Sequence, residues 1–474
     1  MMILIPLHYY FNEEFFDKEP AYMFKIPYLG SFGIINLRVS FWIKSFIFLS
    51  LQSFMNLCVA TFVYRFILVT RPSTSLPSSN PSPCYSYLIG YGLVCPILLL
   101  APFYIVTHCV ELKNVALIIC LCGGLPTLLL LRVVEAIHGL VPPAFLLVDD
   151  DVTKMAETHV QEGNHGDNQK KASGRGKQKE NYNGFKRFIL YYAATLQVKI
   201  DQKTNQPVRF TRQIMISQLR SFFSIFLQTS ILYSLLQPFD YAIAPSRRPI
   251  QNLADLYYWG NIVNAFAMAS LTSLLLNGGA SGLGLMTSFC SGLTMENFSA
   301  SPLTQSSSPS DFWGNRWDRP VASALRRGAY RPLLQAGYSR LFAAMVTFSI
   351  SGLIHEYILL LVAQRKGTPK NNEHNLHSED DDESYQPKFG NQFLFFVWNG
   401  IALCLERLFM NTQQGRLFSK WTRSHVPKPI RTALVLLTVL PIAHLFTDEY
   451  VKGLFYDDAA HGFPRIKYFG QASP

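Results

Sequence analysis

Residues 341–363 read LFAAMVTFSISGLIHEYILLLVA, an unbroken apolar run in which Glu356 is the single formal charge. A helix crosses the hydrocarbon core of a bilayer with ~20 mostly apolar residues. This stretch meets that length, and further candidates stand at 44–66, 86–106, 115–134, 214–236, 256–276, 391–410 and 432–447. The last is short, and tilting or an extension toward Leu445–Phe446 would complete it. The fold class expected is all-α: a polytopic transmembrane helical bundle of about eight spans, bounded by seven and nine. The apolar but glycine-rich piece 278–296, with Gly278, Gly279, Gly282 and Gly284, reads as re-entrant or interfacial.

Composition agrees with lipid as solvent. Charged residues make up 15% of the 474 and hydrophobic ones 49%, with 36 Phe and 23 Tyr, whereas soluble chains carry ~25% charge. The formal charge of +11 sits between the apolar spans, where retention at the cytoplasmic face and contact with anionic headgroups explain it better than nucleic acid does. Eight cysteines, most in or beside apolar stretches, form no disulfide or zinc pattern: Cys120 and Cys122 are a C-x-C without a second pair. They read as small hydrophobes inside helices, and no metal site is expected. At the start of the chain Glu13, Glu14, Asp17 and Glu19 interrupt the apolar residues, so a removable signal peptide is not expected.

Polar segments divide the chain. Residues 1–148 hold three expected spans, 149–184 form a charged, Gly/Gln-rich linker expected to be disordered and cytosolic, and 185–474 hold the rest. Loop 311–340 carries six Arg against two Asp, and loop 411–431 carries five basic residues and no acid. Loop 364–390 has six acids against four basic residues. The positive-inside rule puts the first two in the cytosol and the acidic one in the lumen, and eight spans then put both termini in the lumen.

Chemistry is concentrated in two places. His355-Glu356 at mid-span is costly in hydrocarbon, by ~3 kcal/mol per charge on insertion scales, and such pairs face polar cavities or hold helices together. Upstream, Phe312-Trp313-Gly314-Asn315-Arg316-Trp317-Asp318 opens the basic stretch and suggests an interfacial helix, as an aromatic belt also would.

This aromatic–Arg element, followed by the mid-span Ser351-Gly-Leu-Ile-His355-Glu356, resembles the wax synthase branch of the membrane-bound O-acyltransferases. Further likeness lies at Met295–Leu303 and at Leu440-Pro-Ile-Ala-His-Leu-Phe446. The likeness covers roughly 250–450, and the first 150 residues only by hydropathy. It implies a bundle of that family's type and esterification of a long-chain alcohol by fatty acyl-CoA in the endoplasmic reticulum membrane, with acyl-CoA as co-substrate and no further cofactor. It places the general base on His355; neutral imidazole is suited to taking an alcohol proton near pH 7. In related sterol and diacylglycerol acyltransferases the aromatic element ends in Asn, a second catalytic candidate, where this chain has Asp318; Asn315 is nearby but off the matching place. Trp317 Nε1–H or Asn315 are candidate oxyanion donors. Asp318 either is ionised, orienting His355 or pairing with a nearby Arg, or stays protonated and donates; pairing with Arg316 or Arg319, close in sequence, is the favoured expectation. Trp313, Arg316, Trp317, Arg319, Arg326 and Arg327 are the candidate acyl-CoA contacts, although retention in the cytosol explains the arginines equally well.

Glu135, His138, Asn261, Asn264 and the pair Glu406–Arg407 read as helix glue or interface anchors, and His444 is the next intramembrane histidine to test. Acyl transfer to a sterol, a diacylglycerol or a specialised metabolite would use the same residues, since acceptor choice lies in cavity shape. A transporter built around the His–Glu pair is the non-enzymatic alternative.

Overall fold

A computed structural model describes residues 22–26, 30–68, 83–109, 114–140, 185, 188–192, 194, 196–201, 207–244, 252–364 and 386–468. The linker at 149–184 and most of the acidic loop lie outside the described residues.

Among these residues, seven helices are long and apolar enough to cross a membrane. They are α1 (Val39–Leu68), α2 (Tyr85–His108), α3 (Val115–Ile137), α4 (Arg212–Phe239), α5 (Trp259–Ser291), and two that follow a run of short helices described below. One of those short helices is α6 (Arg319–Leu325). The remaining two spans are α7 (Arg340–Ala363) and α8 (Asn391–Asn411). An eighth candidate is a broken pair, α9 (Lys428–Ile442) and α10 (His444–Lys452), bent by 54°. The break falls at Leu440–Ile442, where Pro441 has no N–H to continue the ladder. The all-α polytopic architecture follows directly from these elements.

Large apolar side chains stand bare of protein on the outer faces: Phe54 on α1 is 65% exposed and Leu227 on α4 61%. Such faces suit lipid, since soluble proteins seldom leave contiguous apolar surface open.

Three features differ from the sequence reading. A small antiparallel sheet joins the two ends of the described chain, β1 (Tyr22–Ile26), β2 (Gly30–Ile35) and β3 (Arg465–Tyr468), with Phe32 opposite Tyr468. Among the described residues, counting α9–α10 as one span gives eight crossings, an even number that leaves ends paired in one sheet on one side of the bundle. The glycine-rich piece expected to be re-entrant is instead the continuous end of α5, which runs 33 residues. A Cβ on Gly284 would meet Leu196 Cδ1 at 2.9 Å, so the glycine leaves room for that side chain. The basic stretch after α8 also folds, as the amphipathic helix Gln413–His425, with Arg416, Lys420 and Arg423 beside exposed Leu417, Phe418 and Trp421. That pattern suits a helix lying in a headgroup layer.

The orientation is testable. In a cysteine-depleted protein in sealed microsomes, Arg326→Cys is expected to react with an impermeant thiol reagent added outside. Reaction only after detergent would put the arginine-rich region in the lumen.

Candidate active site

The run between α5 and α7 builds the first wall of the site. Ser308 caps a short helix by accepting from Asp311 N–H, with Pro309 in its first turn. Phe312–Arg316 then form a π-helical turn that directs aromatic rings inward. Phe312 is 1% exposed and stacks on Trp317 at 5.4 Å between centroids. Trp313 Nε1–H donates to Asn399 Oδ1 of α8 at 3.0 Å, and Asn399 is itself buried. The element is thus a packed wall with a buried tie to α8, where the sequence had suggested an interfacial helix.

The second wall is α7 against α8. A Cβ on Gly352 would lie 2.9 Å from Phe393 Cα, so glycine is what lets the helices approach there. His355 projects beside this contact. Its ring stacks on Phe396 at 4.7 Å and 15°, and meets the edge of Phe446 at 5.1 Å and 75°. Phe396 also lies 6.0 Å from Trp313, so one ring bridges the aromatic element and the histidine. His355 Nδ1 is 3.1 Å from the Tyr450 hydroxyl, which donates to Gln392 Oε1 at 3.3 Å. Glu356 Oε1 accepts from Phe393 N–H at 3.0 Å, at the start of α8.

These walls border an apolar cavity of about 1050 Å³ that is partly open. It runs from Ser310, Arg326 and Arg407 at the arginine-rich end to Tyr456 and Phe463 at the other. His355, Trp313, Trp317 and Asp318 all line it.

Asp318 is the N-cap of α6, its Oδ1 accepting from Val321 N–H at 3.1 Å. The expected pairing is not what the structure holds. Arg316 contacts Asp311 at 2.7 Å, and Arg319 lies 3.6 Å from Glu296. Burial pushes the Asp318 carboxyl up to about 7, against the opposing pull of the Val321 N–H. A carboxyl at that value is substantially protonated near neutrality and can donate from the oxygen that does not cap, as an Asn amide would.

The sign of the pH effect follows. A folded-state value above the ordinary 3.8 means that the stabilisation is complete below about pH 4 and is lost as pH rises through about 7. The melting temperature is expected to fall between those limits more steeply in the wild type than in Asp318→Asn, which keeps the cap without titrating. Identical pH profiles for the two proteins would refute the assignment.

The other candidates separate. Asn315 is exposed, donates to Asp311 Oδ1 at 3.4 Å and is not part of the cavity lining, so it is placed away from the oxyanion role considered for it. Arg326 is at the cavity end and donates to Gly314 O at 3.1 Å. Arg327 turns to a different partner: its Nε stands 2.8 Å from Oε1 of Glu135, a fully buried residue of α3. Tyr191 O–H donates to the same oxygen at 2.6 Å. Arg132 NH1 donates to the carbonyls of Tyr191, Tyr192 and Ala194. Engaged in this way, Arg316 and Arg327 hold the wall together and are poor candidates for phosphate contact. His444 lies against Pro441 O at 3.1 Å and is not part of the lining.

Sequence reading missed Tyr450, Gln392, Phe396, Asn399 and the cavity position of Arg407. Only a polar residue inside a span, as at Asn399, gave any signal, because the rest depends on which helix faces which.

Residues 297–371, which include both the aromatic element and His355, match the model of the membrane bound O-acyl transferase family. The chain is 32% identical over 137 residues to probable long-chain-alcohol O-fatty-acyltransferase 9 of Arabidopsis thaliana, covering 27% of this chain and 33% of that protein. It is 28% identical over 166 residues to acyl-CoA–sterol O-acyltransferase 1 of the same plant, covering 34% and 40%. The matches thus span about a third to two-fifths of these relatives' lengths.

Proposed function

We propose that this chain is a membrane-bound O-acyltransferase that esterifies a long-chain alcohol with the fatty acyl group of acyl-CoA, acting in the endoplasmic reticulum membrane. The observation that carries the reading is a histidine on the wall of a long apolar cavity, clamped by rings next to the aromatic element. An apolar cavity accommodates two alkyl chains, and the single base within it addresses the one difficult step.

In this reading His355 takes the alcohol proton as the oxygen attacks the thioester carbonyl. The C–O bond forms, the C–S bond breaks, and the proton leaves with the CoA thiol. The thioester is already activated, so a base and positioning suffice. Trp317 and protonated Asp318 are the donors for the developing oxyanion. Arg326 and Arg407 stand where CoA phosphates would enter.

A sterol acceptor is the second reading, favoured by the likeness to the sterol acyltransferase. A transporter is disfavoured by its expected paired broken helices: among the described residues, α9–α10 is the one span-length pair bent at a break. Microsomes holding the protein, given labelled acyl-CoA with a fatty alcohol, a sterol and a diacylglycerol in competition, distinguish the acceptors. Label is expected in wax ester; label in steryl ester alone would move the proposal to the second reading.

A further inference from the structure

We infer that Tyr450 and Gln392 are positioning residues that hold His355 in the tautomer with its proton on Nδ1 and its lone pair on Nε2. The inference rests on the proposal that His355 is the base, and it names what prepares that base.

The direction of each link is fixed from the far end. Gln392 Nε2 lies 3.5 Å from the carbonyl of Phe446, which can only accept, so the amide presents its NH₂ group there. Its Oε1 then faces Tyr450 at 3.3 Å and can only accept, so the phenol hydrogen is directed to Gln392. The phenol oxygen therefore meets His355 Nδ1 at 3.1 Å with a lone pair, and Nδ1 must supply the hydrogen. A neutral imidazole with its proton on Nδ1 leaves Nε2 as the basic nitrogen. Among the described residues, Nε2 has no protein hydrogen-bond partner, and His355 lines the cavity.

The fold supplies the parts together. Phe446 and Tyr450 are four residues apart on α10 and so share a face. Phe446 packs on the imidazole edge while Tyr450 bonds to it. The bend after α9 sets the direction of that face. Gln392 and Tyr450 are both buried, which shields the chain of bonds from competition by water.

The test compares wild type, Tyr450→Phe, Gln392→Met and His355→Ala, purified with ¹⁵N-labelled histidine. The His355 resonances are assigned by their loss in His355→Ala. Wild type is expected to show a protonated Nδ1 and an unprotonated Nε2. Tyr450→Phe and Gln392→Met are expected to mix the two tautomers and to lower kcat about tenfold, the effect of one hydrogen bond's net free energy. KM for acyl-CoA should stay within about twofold, because substrate contacts are intact. Wild-type resonances in both variants would overturn the inference whatever happens to kcat, since any loss would then be structural. An inactive His355→Ala in that case would leave the base assignment standing. A fully active His355→Ala would instead remove that assignment and this inference with it.

Discussion

Replacing His355 by alanine is expected to lower acyl transfer by about 10²–10⁴-fold, the usual effect of losing a positioned base. The protein should insert and accumulate as before. His355 borders an existing cavity, so the substitution enlarges that space without opening a new void in a packed region. It leaves no buried hydroxyl stranded either, since Tyr450 still donates to Gln392. The check is transfer rate per amount of folded protein in microsomes. More than a tenth of wild-type turnover in the alanine variant would show that the base lies elsewhere.

Glu135→Ala is expected to destabilise the protein by about 3–5 kcal/mol, the usual result of removing one partner of a buried ion pair. Glu135 is completely buried, and Arg327 beside it is largely so. The guanidinium groups of Arg132 and Arg327 lie 5.5 Å and 5.6 Å from the Tyr191 ring, so two cations share the neighbourhood that one carboxylate neutralises. This cluster joins α3 to the helical turn that follows α6, which ties the first part of the chain to the wall of the site. Loss of Glu135 should therefore reduce monodisperse protein on size-exclusion chromatography and lower its melting temperature. Adding Arg327→Leu to Glu135→Ala should recover part of the loss, because the stranded charge goes with it. A double variant no more stable than Glu135→Ala would contradict this account.

How far the site could be read from sequence depends on the range of the interaction. The spans were legible because about twenty apolar residues in a row have few alternatives. His355 and the aromatic element were legible because an ionisable group in hydrocarbon and a dense Trp/Arg cluster are both unusual. The glycines of α5 were misread because composition gives their flexibility and hides what they pack against; Gly284 is small to admit Leu196. The arginines were read as one group because they are close in sequence. In space each is assigned separately, Arg316 to Asp311, Arg319 to Glu296 and Arg327 to Glu135. Glu135 lies 192 residues before Arg327, and no local pattern links them. Tyr450 is similarly remote from His355, separated by 95 residues, and lies on α10 beyond the bend in the last span.

The central claim is that one cavity brings an acyl thioester to His355. A single-particle map of the protein in lipid nanodiscs with a non-hydrolysable acyl-CoA tests it most directly. The account predicts the acyl chain inside the cavity, the thioester carbon beside His355 Nε2, and the CoA phosphates near Arg326 and Arg407. Well-defined density for the acyl-CoA at any other site, with the cavity around His355 empty, would contradict it.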